Sequence, residues 1–230
     1  MEKKMIKAVY FDLFFTLITP AYGEKNNEFD ILGLSVEEWE KYAEDASLYR
    51  ERALGAVGSE MEIIDRIAAI MPFEVSDIQK QKVLEARRER MRTALQNVSA
   101  DIIDALKILK RKEVKIGLIS NADMIDCRYW KESRLCSFFD DAVFSCEVGL
   151  LKPDRHIYEL AMRRLGVLPD VCMFVGDGGS EELYGARSAG MKTVFTEALV
   201  EKIGENRSHI MAQADHHIEN FRELLNCIES

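Results

Sequence analysis

The chain has 230 residues, a formal net charge of −9 and 31% charged residues. This length suits one good-sized domain, or a domain that carries an insertion. The acidic balance argues against nucleic acid as a general partner, and the apolar runs are too short to span a bilayer, so we expect neither nucleic-acid nor membrane partners. The five cysteines form no Cys-x-x-Cys pair, and we find no secretion leader. We therefore expect reduced thiols and a cytoplasmic location.

The first predicted element is a buried strand that ends at an acid. The apolar run that begins at Ala8 leads into Asp12, and Thr16 follows four residues later. A carboxylate at the end of a buried strand is costly unless it is paired or binds a cation. Such a position is what a metal-assisted nucleophile requires.

Residues 19–98 show no convincing strand and are predicted to be helical. Capping boxes begin at Ser35, Ser59 and Ser76, and each opens a segment with helical periodicity. One apolar helix stripe is predicted to form the interior of this segment and holds Trp39, Tyr42 and Tyr49. The basic run Arg87–Arg92 is interpreted as a solvated helix face rather than a clamp for an anion.

From Ser99 onward, strands and helices alternate, which is typical of a parallel sheet with helices on its faces. The further strands are predicted at 114–119, 142–145, 171–175, 193–196 and 216–218, and the helices near 102–109, 155–165, 181–189, 199–211 and 221–228. The predicted fold is therefore α/β, with a Rossmann-like parallel sheet core formed by residues 1–18 and 99–230. Residues 19–98 form an all-helical insertion.

Three later groups of polar residues follow predicted strands. Ser120 and Asn121 offer a hydroxyl and an amide as hydrogen-bond donors, and Lys152 supplies the local positive charge that an anion site needs in an acidic protein. Asp177 ends a strand and precedes a helix that begins with acids. Two carboxylates at adjacent strand ends, Asp12 and Asp177, would repel unless a hard cation joined them, and Mg²⁺ prefers such oxygen ligands.

Four fragments, in this order and spacing, resemble the motifs of the haloacid dehalogenase superfamily of hydrolases, most of whose members are phosphatases. They are residues 12–16, 118–121, 151–154 and 174–182. The resemblance implies that Asp12 is the nucleophile and forms an aspartyl-phosphate. It also implies that Mg²⁺ is held by Asp12, Asp177 and the backbone carbonyl of Phe14, with Glu181 or Glu182 holding it through water.

The same resemblance implies a phosphoryl site and a cap. Thr16, Ser120, Asn121 and Lys152 would bind the phosphoryl group of a small phosphorylated metabolite, and Lys152 would also favour the transition state. Residues 19–98 would form a helical cap that closes over the site. In this family, cap residues near the boundary with the core determine which substrate binds. Tyr22, Arg50 and Arg52 are therefore candidate substrate contacts.

One position departs from the phosphatase pattern. Phe14 stands where a second aspartate would protonate the leaving-group oxygen, and general acid catalysis is typically worth about 10² to 10⁴ in rate. Either another group supplies the proton, the substrate has a better leaving group, or the reaction is not phosphate ester hydrolysis. Phosphonatases also lack this aspartate, but they need a cap lysine, and nothing singles one out here.

Two alternatives to a phosphatase stay open. The 2-haloacid dehalogenases of the superfamily need no leaving-group acid and have a lysine–tyrosine spacing like that of Lys152 and Tyr158. They work without a metal, however, and lack the Gly-Asp-Gly-Gly signature of residues 176–179. The other alternative is a non-catalytic phosphate-binding module, since a fold does not determine function. The intact Asp12 argues against that module.

Overall fold

A six-stranded parallel sheet forms the centre of the molecule, and its strand order is β3-β2-β1-β4-β5-β6. The computed structural model describes residues 5–200 and 207–229. The strands are β1 (Ala8–Phe11), β2 (Lys115–Ser120), β3 (Asp141–Phe144), β4 (Cys172–Gly176), β5 (Lys192–Thr196) and β6 (His216–Ile218). Strands β1 and β4 are buried throughout, because helices cover both faces of a parallel sheet. The predicted α/β fold is confirmed.

The helices fall into two groups along the chain. Between β1 and β2 lie α1 (Glu28–Leu32), α2 (Val36–Ala43), α3 (Ala46–Ala53), α4 (Glu60–Ala69), α5 (Asp77–Gln96) and α6 (Ala100–Arg111). The later helices are α7 (Met124–Cys127), α8 (Ser145–Val148), α9 (Arg155–Leu165), α10 (Glu182–Ser188), α11 (Arg207–Gln213) and α12 (Leu224–Glu229). Among the described residues, no helix combines the length and the apolar character needed to cross a membrane.

Serine caps begin three of the helices in the insertion. Ser35 and Ser76 form complete capping boxes, as predicted. Ser59 accepts a hydrogen bond from the Glu62 backbone N–H, but the Glu62 carboxylate accepts from the backbone N–H of Gly58 instead of Ser59. The predicted box at Ser59 is therefore only half formed, because the loop brings Gly58 within 2.9 Å of that carboxylate.

Several predicted element boundaries were wrong, among them the helix expected from 221, which begins at Leu224. Ser145 was expected to end β3 but begins α8. The helix expected over 199–211 is described only from Arg207. Leu199 lies in a turn and Val200 lies outside any helix, which differs from the prediction. Residues 201–206 fall outside the described residues.

Alternate residues of β1 face opposite sides of the sheet. Val9 and Phe11 join one apolar cluster, and Ala8 and Tyr10 join another, as the two-residue period of a strand requires. A third cluster fills the helical insertion. It also holds Ile125 of α7, whose side chain is completely buried, so a short helix from outside residues 19–98 packs into the interior of the insertion.

The interpretation of the basic run as a solvated helix face was wrong for Arg87. Arg87 is only 6% exposed, and its Nη2 donates to Asp123 Oδ2 at 2.6 Å and to Asp126 Oδ1 at 2.9 Å. Arg52 of α3 reaches the same carboxylate of Asp123, at 3.0 Å from its Nε. Two insertion helices are thus held to α7 by buried charges, which a helix-face pattern cannot reveal because the acids lie elsewhere in the chain.

Candidate active site

Polar residues gather where β1, β2 and β4 end. Phe11 pairs with Leu118 on one side and with Val175 on the other, so the residues that follow these strands emerge at one edge of the sheet. The backbone N–H of Asp12 still donates to the carbonyl of Val175 at 2.9 Å, which holds Asp12 beside β4. Open parallel sheets place their ligands at this carboxyl edge.

Lys152 lies between two carboxylates at this edge. Its Nζ is 2.5 Å from Asp12 Oδ1 and 2.5 Å from Glu182 Oε2, and all three side chains are at most 7% exposed. Burial alone would lower the pKa of Lys152, but the charges of Asp12 and Glu182 outweigh it and raise that pKa above its usual range. Lys152 is therefore a fixed positive charge against Asp12.

The side chain of Asn121 holds the main chain of Lys152. Its Oδ1 accepts from the Lys152 backbone N–H at 2.8 Å, and its Nδ2 donates to the Lys152 carbonyl at 3.1 Å. The sequence predicted Asn121 as a phosphoryl donor and did not predict this pairing, because Asn121 and Lys152 lie far apart in the chain. Asn121 therefore orients the loop that carries the lysine.

Three carboxylates converge beside the lysine. Oxygen atoms of Asp12, Asp177 and Glu182 all lie within 4.8 Å of one another. Burial and the charge of Asp12 raise the pKa of Asp177, and burial raises the pKa of Glu182 although Lys152 opposes the shift. When all three carboxylates are ionised, the one ammonium leaves two negative charges uncompensated, and an oxygen-rich cluster of that charge suits a hard divalent cation.

The two acids that begin the α10 segment have different surroundings. Glu182 is 1% exposed, and its Oε1 also accepts from the Gly178 backbone N–H at 3.1 Å. A Cβ on Gly176 would lie 2.0 Å from that Oε1, so only glycine lets the carboxylate approach. Glu181 is exposed and lies against His209 and Gln213. Glu182 is thus the acid in the carboxylate cluster, a distinction that two adjacent glutamates in a sequence do not reveal.

Two buried hydroxyl groups have no hydrogen-bond partner within the described chain. They are Oγ1 of Thr16 and Oγ of Ser120, and both side chains are completely buried. A buried polar group without a partner costs about 1–3 kcal/mol. Both residues were predicted as phosphoryl donors, and unpaired hydroxyl groups at the ends of β1 and β2 suit a ligand with acceptor oxygens.

The loop after Asp12 turns sharply. Ile18 N–H donates to the Leu13 carbonyl at 3.0 Å, and Phe15 N–H donates to the Ile18 carbonyl at 2.7 Å. Neither bond uses the carbonyl of Phe14, the predicted metal ligand. Phe15 has φ 54°, a left-handed conformation that is costly for an aromatic residue and that often marks functional loops. The ring of Phe14 packs against the apolar core.

The three insertion residues predicted to contact substrate have different surroundings in the structure. Tyr22 packs on Phe29 at 5.2 Å and under the guanidinium of Arg90 at 4.6 Å. Arg50 is exposed. Arg52 is only 4% exposed and is held by Asp123, by Glu44 and by the Ala43 carbonyl. The guanidinium of Arg52 is thus occupied within the protein.

The aromatic stripe predicted for the insertion holds for two of its three members. Trp39 and Tyr42, both on α2, belong to the apolar cluster of the insertion, whereas Tyr49 on α3 does not. The prediction was wrong for Tyr49 because α2 and α3 are separate helices, so the helical period does not continue from one to the other. Tyr49 is half-buried, with its ring 5.2 Å from the guanidinium carbon of Arg52.

Tyr158, which matches the lysine–tyrosine spacing of dehalogenases, lies beneath the site. It is completely buried, and its hydroxyl donates to the Glu182 carbonyl at 2.8 Å. Burial, followed by the charges of Glu182 and Asp12, raises its pKa well above the usual range. Tyr158 therefore stays protonated and supports the start of α10.

Curated relatives of the chain include phosphatases. It is 34% identical over 137 residues to a glyceraldehyde 3-phosphate phosphatase from Methanothermobacter thermautotrophicus, covering 56% of this chain and 57% of the relative. It is 28% identical over 206 residues to N-acylneuraminate-9-phosphatase from Homo sapiens, covering 84% of this chain and 82% of the relative. The chain spans about half the length of the first relatives it matches.

Solved structures share the fold. One is a family enzyme from Bacteroides thetaiotaomicron in complex with magnesium and inorganic phosphate, with a TM-score of 0.65 and 19% identity over 89% of this chain and 98% of that one. Another is a 2-haloacid dehalogenase from Pseudomonas syringae, with a TM-score of 0.66 and 23% identity over 98% of this chain and 99% of that one. The family model for haloacid dehalogenase-like hydrolases matches residues 6–190. With most of its length matched, the chain belongs to the haloacid dehalogenase-like hydrolases.

Proposed function

We propose that the protein is a Mg²⁺-dependent phosphatase that hydrolyses a small phosphorylated metabolite through an aspartyl-phosphate on Asp12. The observation that carries this proposal is the cluster of Asp12, Asp177 and Glu182 beside the buried Lys152. A 2-haloacid dehalogenase works without a metal and has no need for three converging carboxylates. The names of the curated relatives support the same reaction class.

The first step starts from a pair of groups already in contact. One oxygen of Asp12 accepts from Lys152, and the second oxygen attacks phosphorus as the bond from phosphorus to the leaving oxygen breaks. The Lys152 ammonium offsets the charge that develops on the phosphoryl oxygens, and the hydroxyl groups of Thr16 and Ser120 donate to them. Water then attacks phosphorus and releases Asp12. Asn121 keeps the lysine in place through the Lys152 backbone.

The metal would be held by Asp12, Asp177 and the Phe14 carbonyl, with Glu182 close by. When bound, Mg²⁺ lowers the repulsion between the anionic nucleophile and the phosphate. The uncompensated charge of the carboxylate cluster supports this assignment, and solved structures of the same fold hold magnesium.

We further propose that residues 19–98 form a cap domain over a core of residues 1–18 and 99–230. The five helices from Glu28 to Gln96 supply most of a separate apolar cluster, and Asp123 of the core is bound by two of their arginines. A closed cap would exclude water during attack by Asp12. The five free thiols fit the predicted cytoplasmic location, and the absence of a nucleic-acid partner stays a prediction.

The test is hydrolysis of an aryl phosphate and a panel of alkyl phosphates, with Mg²⁺ or EDTA, by wild type and Asp12→Asn. Asp104→Asn on the exposed face of α6 is the matched control. We expect turnover that requires Mg²⁺ and Asp12 and is unchanged in the control. Turnover in EDTA, or turnover by Asp12→Asn, would overturn the proposal.

Phe14 favours a second candidate, hydrolysis of 2-haloacids, because that reaction needs no leaving-group acid. Halide release from a 2-haloacid in EDTA, lost in Asp12→Asn, would select this reaction. Tight calorimetric binding of a phosphometabolite with neither turnover nor phospho-aspartate would instead identify a binding module.

A further inference from the structure

Hydrolysis of an alkyl phosphate requires a proton on the leaving-group oxygen, and Phe14 cannot supply it. Within the site, the Lys152 ammonium is bound by two carboxylates, and Thr16 and Ser120 are completely buried at strand ends. The insertion, two of whose arginines bind Asp123 just beyond β2, can bring a further donor to this edge of the sheet. This inference rests on the phosphatase function proposed above.

Helix α3 is the part of the insertion that docks against this edge. Arg52 binds Asp123 at 3.0 Å, only two residues beyond Asn121. At the end of the same helix, a Cβ on Gly55 would lie 2.1 Å from the carbonyl oxygen of Cys146, which follows β3. The α3 segment thus contacts the residues that follow β2 through the Arg52 side chain, and those that follow β3 through the Gly55 backbone.

Tyr49 lies one turn before Arg52 on α3, and residues three apart share a helix face. The guanidinium carbon of Arg52 lies 5.2 Å from the Tyr49 ring, so the two side chains lie together on one face of α3. Burial raises the pKa of Tyr49, and the charge of Lys152 opposes that shift. In the structure, the Tyr49 ring lies beside the arginine that binds Asp123, two residues beyond Asn121 of the candidate site.

We infer that Tyr49 is a catalytic residue that donates its hydroxyl proton to the leaving-group oxygen. As the bond from Asp12 to phosphorus forms, the bond from phosphorus to the leaving oxygen breaks, and that oxygen takes the proton from Tyr49. In the second step, water attacks phosphorus, the bond to Asp12 breaks, and the proton from water returns to the tyrosinate. A phenol is a stronger acid than an aliphatic alcohol, so the transfer runs toward the leaving alkoxide.

The test compares Tyr49→Phe with Tyr42→Phe on alkyl and aryl phosphates in Mg²⁺. Tyr42 is the matched control because it is a half-buried tyrosine that packs in the insertion's apolar cluster. We expect Tyr49→Phe to lower kcat for alkyl phosphates by about 10²-fold or more. Aryl phosphates, whose leaving group needs no proton, should change by less than about threefold, and Tyr42→Phe should leave both classes unchanged.

The outcomes separate this inference from the proposed function. An equal loss on both substrate classes would mean that Tyr49 only supports the structure, and no loss on either would remove it from the reaction. Turnover of aryl but not alkyl phosphates by wild type would also overturn the inference, while leaving the phosphatase assignment intact. Absence of Mg²⁺-dependent and Asp12-dependent turnover on every ester would overturn the proposed function, and the inference with it.

Discussion

The Nη2 atom of Arg87 lies 2.6 Å from Oδ2 of Asp123, and this contact joins the longest helix of the insertion to the segment that follows β2. Both side chains are buried, at 6% and 1% exposure. Arg52 binds the same carboxylate, so one acid holds two arginines from different helices. Because Asp123 lies three residues after Ser120 and two after Asn121, this buried charge cluster joins the insertion to the segment that holds part of the candidate phosphoryl site.

Removal of one partner from this buried cluster should be strongly destabilising. We expect Arg87→Met to lower the free energy of unfolding by about 3–5 kcal/mol, because Asp123 and Asp126 then face each other with less compensation. Lys107→Met, which breaks the exposed pair with Asp104, should cost no more than about 1 kcal/mol. Urea unfolding of both variants measures the difference. Equal losses would show that the Arg87 contacts contribute no more than a surface pair.

The unpaired hydroxyl of Thr16 should serve ligand binding rather than stability. We expect Thr16→Val to leave the free energy of unfolding unchanged or raised by about 1 kcal/mol, because it removes a buried polar atom that has no partner. The affinity for inorganic phosphate should fall by about fivefold or more, since one hydrogen bond to an anion is lost. Urea unfolding and calorimetry provide the two measurements.

Ser145 supplies the control for Thr16. It is also completely buried, but its hydroxyl accepts from the Ala122 N–H at 2.9 Å and donates to the Ala122 carbonyl at 3.1 Å. Ser145→Ala should therefore cost about 1–3 kcal/mol. A comparable loss in Thr16→Val would contradict a ligand-binding role for Thr16.

The two adjacent glutamates should differ in their effect on Mg²⁺ binding. Glu182 belongs to the carboxylate cluster, whereas Glu181 faces His209 and Gln213. We expect Glu182→Gln to weaken Mg²⁺ binding by about 10- to 100-fold, the range typical of groups around a metal site. Glu181→Gln is the neighbouring control and should change the affinity by less than about threefold. Calorimetric titration with Mg²⁺ measures both affinities. A larger loss of affinity in Glu181→Gln than in Glu182→Gln would place Glu181 at the metal.

Cys172 should contribute a stability that is lost in alkali. It is completely buried in β4, and burial, followed by the charge of Asp170, raises the pKa of its thiol from 9.0 to about 12. Because the folded value is the higher one, the contribution is complete below pH 9 and disappears as the pH rises toward 12. The stability difference between wild type and Cys172→Ala should therefore shrink over that window in urea unfolding. A stability difference that stays constant over this pH window would contradict the raised pKa of Cys172.

Much of the fold could be predicted because it depends on local pattern. The strands after Ser99 form short apolar runs, and the predicted β6 matches His216–Ile218 without error. The serine caps at 35 and 76 were predictable because each box needs only four consecutive residues. The second half of the box at Ser59 was not predictable, since the loop conformation places the Gly58 N–H rather than the Ser59 N–H against the Glu62 carboxylate.

Local sequence patterns were enough to predict the parallel α/β core, the helical insertion and the placement of Asp12 and Asp177 at strand ends, because hydrophobic period and strand termination are properties of short segments. Which charged groups meet depends instead on the packing of distant segments. The tertiary structure brought Glu182 rather than Glu181 into the carboxylate cluster, paired Asn121 with the Lys152 backbone, and buried Arg87 and Arg52 against Asp123. These contacts join residues that are distant in the chain. Their partners are set by how the insertion packs on the sheet, which no local pattern encodes.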